Sequence, residues 1–289
     1  YEPPAQYLSE ANGKPYDGEL AYIDDQLGRV IGRFSGRPTL FVLVGDHGEG
    51  LGDHSELTHG LFVYDSTQHV PFILSGLGIE PSVVDEPVSL VDVAPTLLDA
   101  AGLPPLSGQI SGRVRPASDS VPVYMESWQL AERFGVSPHL ALIDAEYKFV
   151  DLPRPELYNL LSDPAEQIDI SADHPDVVLR LKAELDAFGF RPPASSLTHA
   201  MPPDVAMQLQ ALGYTEGGFA GDLSGPLPDL KDRMDLVERV LQSDRHSLKQ
   251  EVVENEKVLR SLIADYPEIV EFQSRLAGVL QRTGRPEEA

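Results

Sequence analysis

The sequence predicts an α/β protein: part of a doubly wound sheet, then a small antiparallel sheet with a helix, then an α-helical, repeat-like tail. Three observations carry this expectation. A helical apolar stripe runs into a continuous apolar strand near the N-terminus, short alternating segments follow mid-chain, and residues 229–289 are helix-patterned throughout.

The first helix is read from Tyr16 to Phe34, where Leu20, Ile23, Leu27, Val30, Ile31 and Phe34 form one face and Gly36-Arg37-Pro38 ends it. The run Thr39-Leu40-Phe41-Val42-Leu43-Val44 has the pattern of a strand buried on both faces of a parallel sheet. Pro71-Phe72-Ile73-Leu74 is a second such strand, and Val91 to Ala101 a second helix, stopped by Gly102 and Pro104-Pro105. Pro, Gly and Ser between 103 and 120 mark a boundary. Val121 to Glu126, Leu140 to Asp144, Tyr147 to Asp151 and Glu156 to Asn159 then alternate as antiparallel strands, followed by a helix from Pro175 to Phe188. The expected units are 1–115, an α/β core; 116–190, an α+β subdomain; 191–228, a Pro/Gly-rich linker; and 229–289, a helical tail.

In that tail Val252, Val258, Leu259, Leu262 and Ile263 share a stripe. After Asp265-Tyr266-Pro267 comes a helix with Leu276, Ala277, Leu280 and Gly284. This order resembles one tetratricopeptide repeat. A single repeat cannot bury its own face, so further repeats and a protein partner are expected, with few contacts to the preceding units.

Net charge is −24 over 289 residues, which argues against nucleic acid and anionic membrane surfaces as partners. Without cysteine, disulfides and thiolate metal sites are excluded within this stretch. No apolar run is long enough to span a bilayer. The chain opens on Tyr1-Glu2-Pro3-Pro4 without an initiator Met, and both ends read as cut, which leaves the compartment undetermined.

The densest polar cluster is Asp46 to Gly60, directly after the first strand. The carboxyl ends of strands in open α/β sheets face the ligand crevice. There Asp46 and His47 are a workable pair of divalent-metal ligands. Gly48, Gly50 and Gly52 let the backbone turn sharply. His59 returns to the same rim, where it can donate to an oxyanion. A solvated turn with a capping Asp fits the same residues about as well. His54 reads as a loop-stabilising hydrogen-bonding group, His69 as packed or hydrogen-bonded, and Trp128 and Tyr124 as core aromatics.

Val44-Gly45-Asp46-His47-Gly48-Glu49-Gly50-Leu51-Gly52-Asp53-His54 resembles the second metal-binding motif of sulfatases, in their Asp-His variant, within the alkaline phosphatase superfamily. Tyr16 to Asp25, His69 to Leu74, Ser89 to Leu98, and Glu156-Leu157-Tyr158-Asn159-Leu160 with Asp163-Pro164 resemble that family's text in the same order. The resemblance implies the C-terminal part of such an enzyme, hydrolysing small-molecule or glycan sulfate esters outside the cytoplasm. It implies Asp46 and His47 as two ligands of one divalent cation, calcium foremost, with manganese, zinc or magnesium as alternatives. The remaining ligands and the nucleophile would lie upstream, since no Cys and no suitable Ser or Thr is present. His59 falls where many relatives carry Lys, which keeps phosphoester hydrolysis, phosphotransfer or a decayed domain open as alternatives.

Overall fold

The computed structural model describes residues 1–105, 112–115, 121–189, 223 and 225–288. Helix α1 (Ala5–Glu10) lies against α2 (Pro15–Gly32), with the Tyr7 and Tyr22 rings 5.2 Å apart. Pro15 and Asp17 occupy the first turn of α2, where a missing N–H costs nothing and a carboxylate meets the positive end of the helix dipole. Strand β1 (Leu40–Val44) pairs with β2 (Phe72–Gly76), Val42 opposite Leu74.

That pairing is antiparallel, not the parallel arrangement expected from the apolar runs. An apolar run encodes burial and not direction, and the long connection between the strands permits either sense. Burial is also incomplete: Leu43 and Ile73, partners across the pair, are exposed, as are Leu20, Ile23, Val30 and Ile31 along α2. Beyond α3 (Asp65–Gln68) comes α4 (Val93–Ala100), whose preceding turn is capped by the Ser89 hydroxyl. Buried Asp92 pins the following segment there, taking the Arg115 Nε–H at 2.6 Å and the Arg113 N–H at 2.7 Å.

The middle of the chain forms the expected meander. Strands β3 (Val123–Ser127), β4 (His139–Asp144), β5 (Tyr147–Asp151) and β6 (Glu156–Asn159) are antiparallel neighbours in that order, with α5 (Gln129–Phe134) between the first two. Alternation divides the sheet cleanly. Leu142, Phe149 and Leu157 face α6 (Pro175–Ala187) and its Leu181 and Leu185. Ala141, Val150 and Tyr158 face the other way, into the largest core.

That core overturns the expectation of a tail with few contacts. Helices α7 (Met234–Leu248), α8 (Val252–Asp265) and α9 (Val270–Arg282) are helical as expected. They bury Leu236, Val240, Leu262, Tyr266 and Phe272 together with Leu61-Phe62-Val63-Tyr64 and the sheet. Glu271 is fully buried and takes two hydrogen bonds from Arg133 of α5, at 2.9 and 2.7 Å. The four-residue apolar run at 61–64 has no helical or alternating period, so the sequence did not announce it as a docking surface. The expected linker falls mostly outside the described residues.

Candidate functional site

The candidate site begins where β1 ends. The Gly45 N–H donates to the Pro71 carbonyl at 3.1 Å, the last tie to β2, and Asp46 and His47 follow. The His47 amide donates to Asp46 Oδ1 at 3.0 Å, and this bond, ahead of the nearby imidazole, holds the Asp46 carboxyl below its ordinary range. His47 Nδ1 lies 2.9 Å from the Gly48 carbonyl. A carbonyl only accepts, so Nδ1 carries the proton and the neutral ring keeps its lone pair on Nε2, 3.8 Å from Asp46 Oδ2.

Three glycine amides fold the loop back on itself: Gly48 to the Thr67 carbonyl, Gly50 to Thr58 and Gly52 to Glu56. At Gly48 a Cβ would stand 2.4 Å from the Ser66 carbonyl oxygen, and at Gly50 2.4 Å from that of Glu56. Only residues without a side chain allow these approaches, whereas Gly52 is required for its φ of 106°. The return brings His59 onto His47, with ring centroids 3.8 Å apart and planes 28° off parallel. His59 Nδ1 lies 3.5 Å from Glu49 Oε2, which also accepts from the Tyr1 hydroxyl. The Glu49 side chain is buried, and its other oxygen has no hydrogen-bond partner among the described residues.

Glu56 fixes the far side of the loop. Buried to 1% exposure, it accepts from the Leu61 N–H at 2.7 Å and the Phe62 N–H at 3.2 Å, and desolvation pushes its carboxyl up to about 7. His54 stabilises the loop as expected: its ring stacks on Tyr64 at 3.7 Å and Nε2 donates to the Ala165 carbonyl at 3.2 Å. His69, expected to be packed or hydrogen-bonded, is exposed, with Nδ1 3.9 Å from Asp65 Oδ2. Trp128 and Tyr124 both donate to Glu126.

Asp46, His47 and His59 therefore converge, but on different surroundings. Asp46 points to solvent, while His59 helps line a cleft of about 190 Å³ with Thr58, Gln129, Arg133, Phe134, Leu241 and Asp244 among others. Among the described residues no three His, Asp or Glu side chains are grouped to hold a metal; Asp46 and His47 offer two donors. Glu49 and Glu56 were not singled out from the sequence. Their burial is the signal, and it exists only after the loop closes.

A strand-end carboxylate and imidazole thus stand beside a second histidine in a mixed α/β fold. Residues 6–103 match the model of the sulfatase family. Arylsulfatase K of Bos taurus is 30% identical over 199 residues, covering 63% of this chain and 35% of that protein. The Delta 4,5-hexuronate-2-O-sulfatase of Bacteroides thetaiotaomicron is 27% identical over 164 residues, covering 52% of this chain and 34% of its own length. A solved 2-O GAG sulfatase superposes with a TM-score of 0.50 at 24% identity, over 60% of this chain and 41% of that one, a likeness of fold. These comparisons show a likeness to sulfatases in sequence and fold. The chain spans about a third of the length of the curated relatives it matches.

Proposed function

We propose that this chain supplies part of the active site of a metal-dependent sulfate-ester hydrolase acting on a small-molecule or glycan sulfate. The observation that carries the reading is the packing of His59 on His47 beside an ionised Asp46 at the end of β1. The donor set fits a divalent cation: a carboxylate held in its charged form, and an imidazole whose Nε2 lone pair is left open by the Nδ1 bond. Asp46 and His47 would hold the cation, calcium foremost, with manganese, zinc or magnesium as alternatives. When bound, it would neutralise charge on the transferring group. His59 donates a hydrogen bond to that group, and buried Glu49 orients the His59 ring.

The remaining ligands and the nucleophile come from outside these 289 residues. Supporting this are the two-donor set, the relatives' greater length and the exposed apolar faces of α2 and the β1–β2 pair. The expected units 1–115, 116–190 and 229–289 remain our division of the chain. The last serves as the start of a tetratricopeptide array presented to a protein partner. In the full-length protein, His47→Ala is expected to abolish divalent-metal binding measured by calorimetry, and nearly all hydrolysis. His59→Ala should keep the metal and lose turnover about a hundredfold. The 289-residue chain alone should turn over neither aryl sulfate nor aryl phosphate. Full activity in His47→Ala refutes the metal assignment; metal-dependent turnover by the chain alone refutes the shared site. Full-length turnover of aryl phosphate but not aryl sulfate would replace the ester.

A further inference from the structure

His59 and Gly60 are the last loop residues before the buried segment Leu61-Phe62-Val63-Tyr64, which shares its core with Leu236, Val237 and Val240 of α7. The approach to α5 holds the same turn from another side. The Ser127 hydroxyl, at the end of β3, donates to the Gly60 carbonyl at 2.5 Å, and a Cβ at Gly60 would stand 2.9 Å from Gln129 Oε1, in the first turn of α5. At its other end α5 is held by α9, where buried Glu271 takes both Arg133 bonds and has Arg275 at 2.7 Å. We infer that the helical tail is part of the site's machinery, with Glu271 a positioning residue that keeps His59 on His47 through Arg133, α5 and Gly60. This deepens the hydrolase reading and rests on it for the effect on turnover.

The His59 ring has little hold of its own. It is about half exposed, its Nδ1 stands 3.5 Å from Glu49 Oε2, beyond a good hydrogen bond, and its other contact is the face of His47. Its place is therefore set by the backbone on either side. Glu56 fixes the amides of Leu61 and Phe62, and Ser127 and Gln129 fix Gly60. What fixes α5 in turn is a forked arginine–carboxylate pair, which sets orientation as well as distance, whereas apolar faces can slide. A second tie steadies the other limb of the loop. Lys231, at the start of the tail, reaches Glu156 Oε1 at 2.7 Å; Glu156 Oε2 takes the Tyr64 hydroxyl, and Tyr64 stacks on His54. Both limbs thus lean on residues beyond 228. Buried ion pairs add little net stability over apolar packing, so geometry is the property this pair supplies to the joint between α5 and α9.

A double-mutant cycle in the full-length protein tests this. Glu271→Gln, assayed well below its unfolding midpoint, should lower kcat on 4-nitrophenyl sulfate about tenfold and leave KM within about twofold. In a His59→Ala background the same substitution should change kcat by no more than about twofold, because the group it positions is gone. Arg133→Lys keeps the buried charge but loses the fork, and it should give the same pattern, which covers the case of Glu271→Gln failing to fold. Equal losses in both backgrounds, or no loss in either, would mean a purely structural role and overturn the inference. A second readout needs no turnover. In the 289-residue chain, the His59 imidazole NMR signal, identified by its absence from His59→Ala, should move in Glu271→Gln or Arg133→Lys toward its position in His47→Ala. An unmoved signal overturns the inference. If the full-length protein hydrolyses no aryl sulfate, the hydrolase reading fails, while the NMR signal still decides the positioning.

Discussion

Two buried titratable side chains, Glu56 in the candidate loop and His139 at the start of β4, act in opposite directions. Burial raises Glu56 from 4.5 to about 7, so the folded chain holds a proton that the unfolded chain releases, and stability falls as pH rises between those values. Burial lowers His139 from 6.5 to about 4, its Nε2 without a hydrogen-bond partner among the described residues, so stability falls as pH drops through that window. Each displacement is worth about 3 kcal/mol. From pH 4.5 to 6.5 the two contributions nearly cancel. Urea midpoints should therefore show that Glu56→Gln uncovers a loss of about 2–3 kcal/mol on acidifying from 6.5 to 4.5. His139→Phe should uncover a gain of similar size. If neither variant changes the pH dependence, these burial effects are not present in solution.

At the scale of elements, the loop after β1 is shaped by contacts that no side chain can share. Gly50→Ala places a Cβ against the Glu56 backbone carbonyl, which cannot swing aside as a flexible side chain would. An overpacking cost of about 1–3 kcal/mol is expected, along with loss of the His47–His59 stacking, seen as a change in their imidazole NMR shifts. Wild-type stability and shifts in that variant would show the loop to be looser than described. The short helix α3 is anchored differently. Lys148 of β5 is fully buried, with Nζ 2.8 Å from both Asp65 Oδ1 and Glu166 Oε1. Glu166 Oε2 in turn accepts from the Asp65 N–H at 2.6 Å. Lys148→Met leaves the Glu166 carboxylate buried without its cation. The expected loss is about 3–5 kcal/mol at neutral pH, and it should shrink in acid as Glu166 takes up a proton. A loss independent of pH would point to packing instead of charge.

For the whole molecule, the shared core predicts a single unfolding transition. Trp128, the only tryptophan, adjoins α5 and reports the sheet, whereas far-UV circular dichroism is dominated by the helices. Because Phe134 of α5 packs on Phe272 of α9 and Leu61 to Tyr64 lie beneath α7 and α8, both probes should give the same urea midpoint. Two separated transitions would restore the independent tail. Among the described residues no helix is long and apolar enough to cross a membrane.

Local pattern was enough for the elements. The meander strands, α2, α6 and the tail helices all lie within a few residues of where alternation, helical stripes and Gly or Pro punctuation put them, because those signals act within a few neighbours along the chain. The candidate trio was legible for the same reason, as a polar, glycine-spaced loop at a strand end. What local pattern does not carry is direction, burial and long-range partnership. The sense of β1 against β2, the burial of Glu56 and of the Glu49 side chain, and the docking of residues 230–282 onto Leu61 to Tyr64 are set by contacts between segments far apart in the chain. An apolar residue records that it is to be buried but not against what. For this protein that missing information decided where the cleft beside His59 lies and which helix forms its wall.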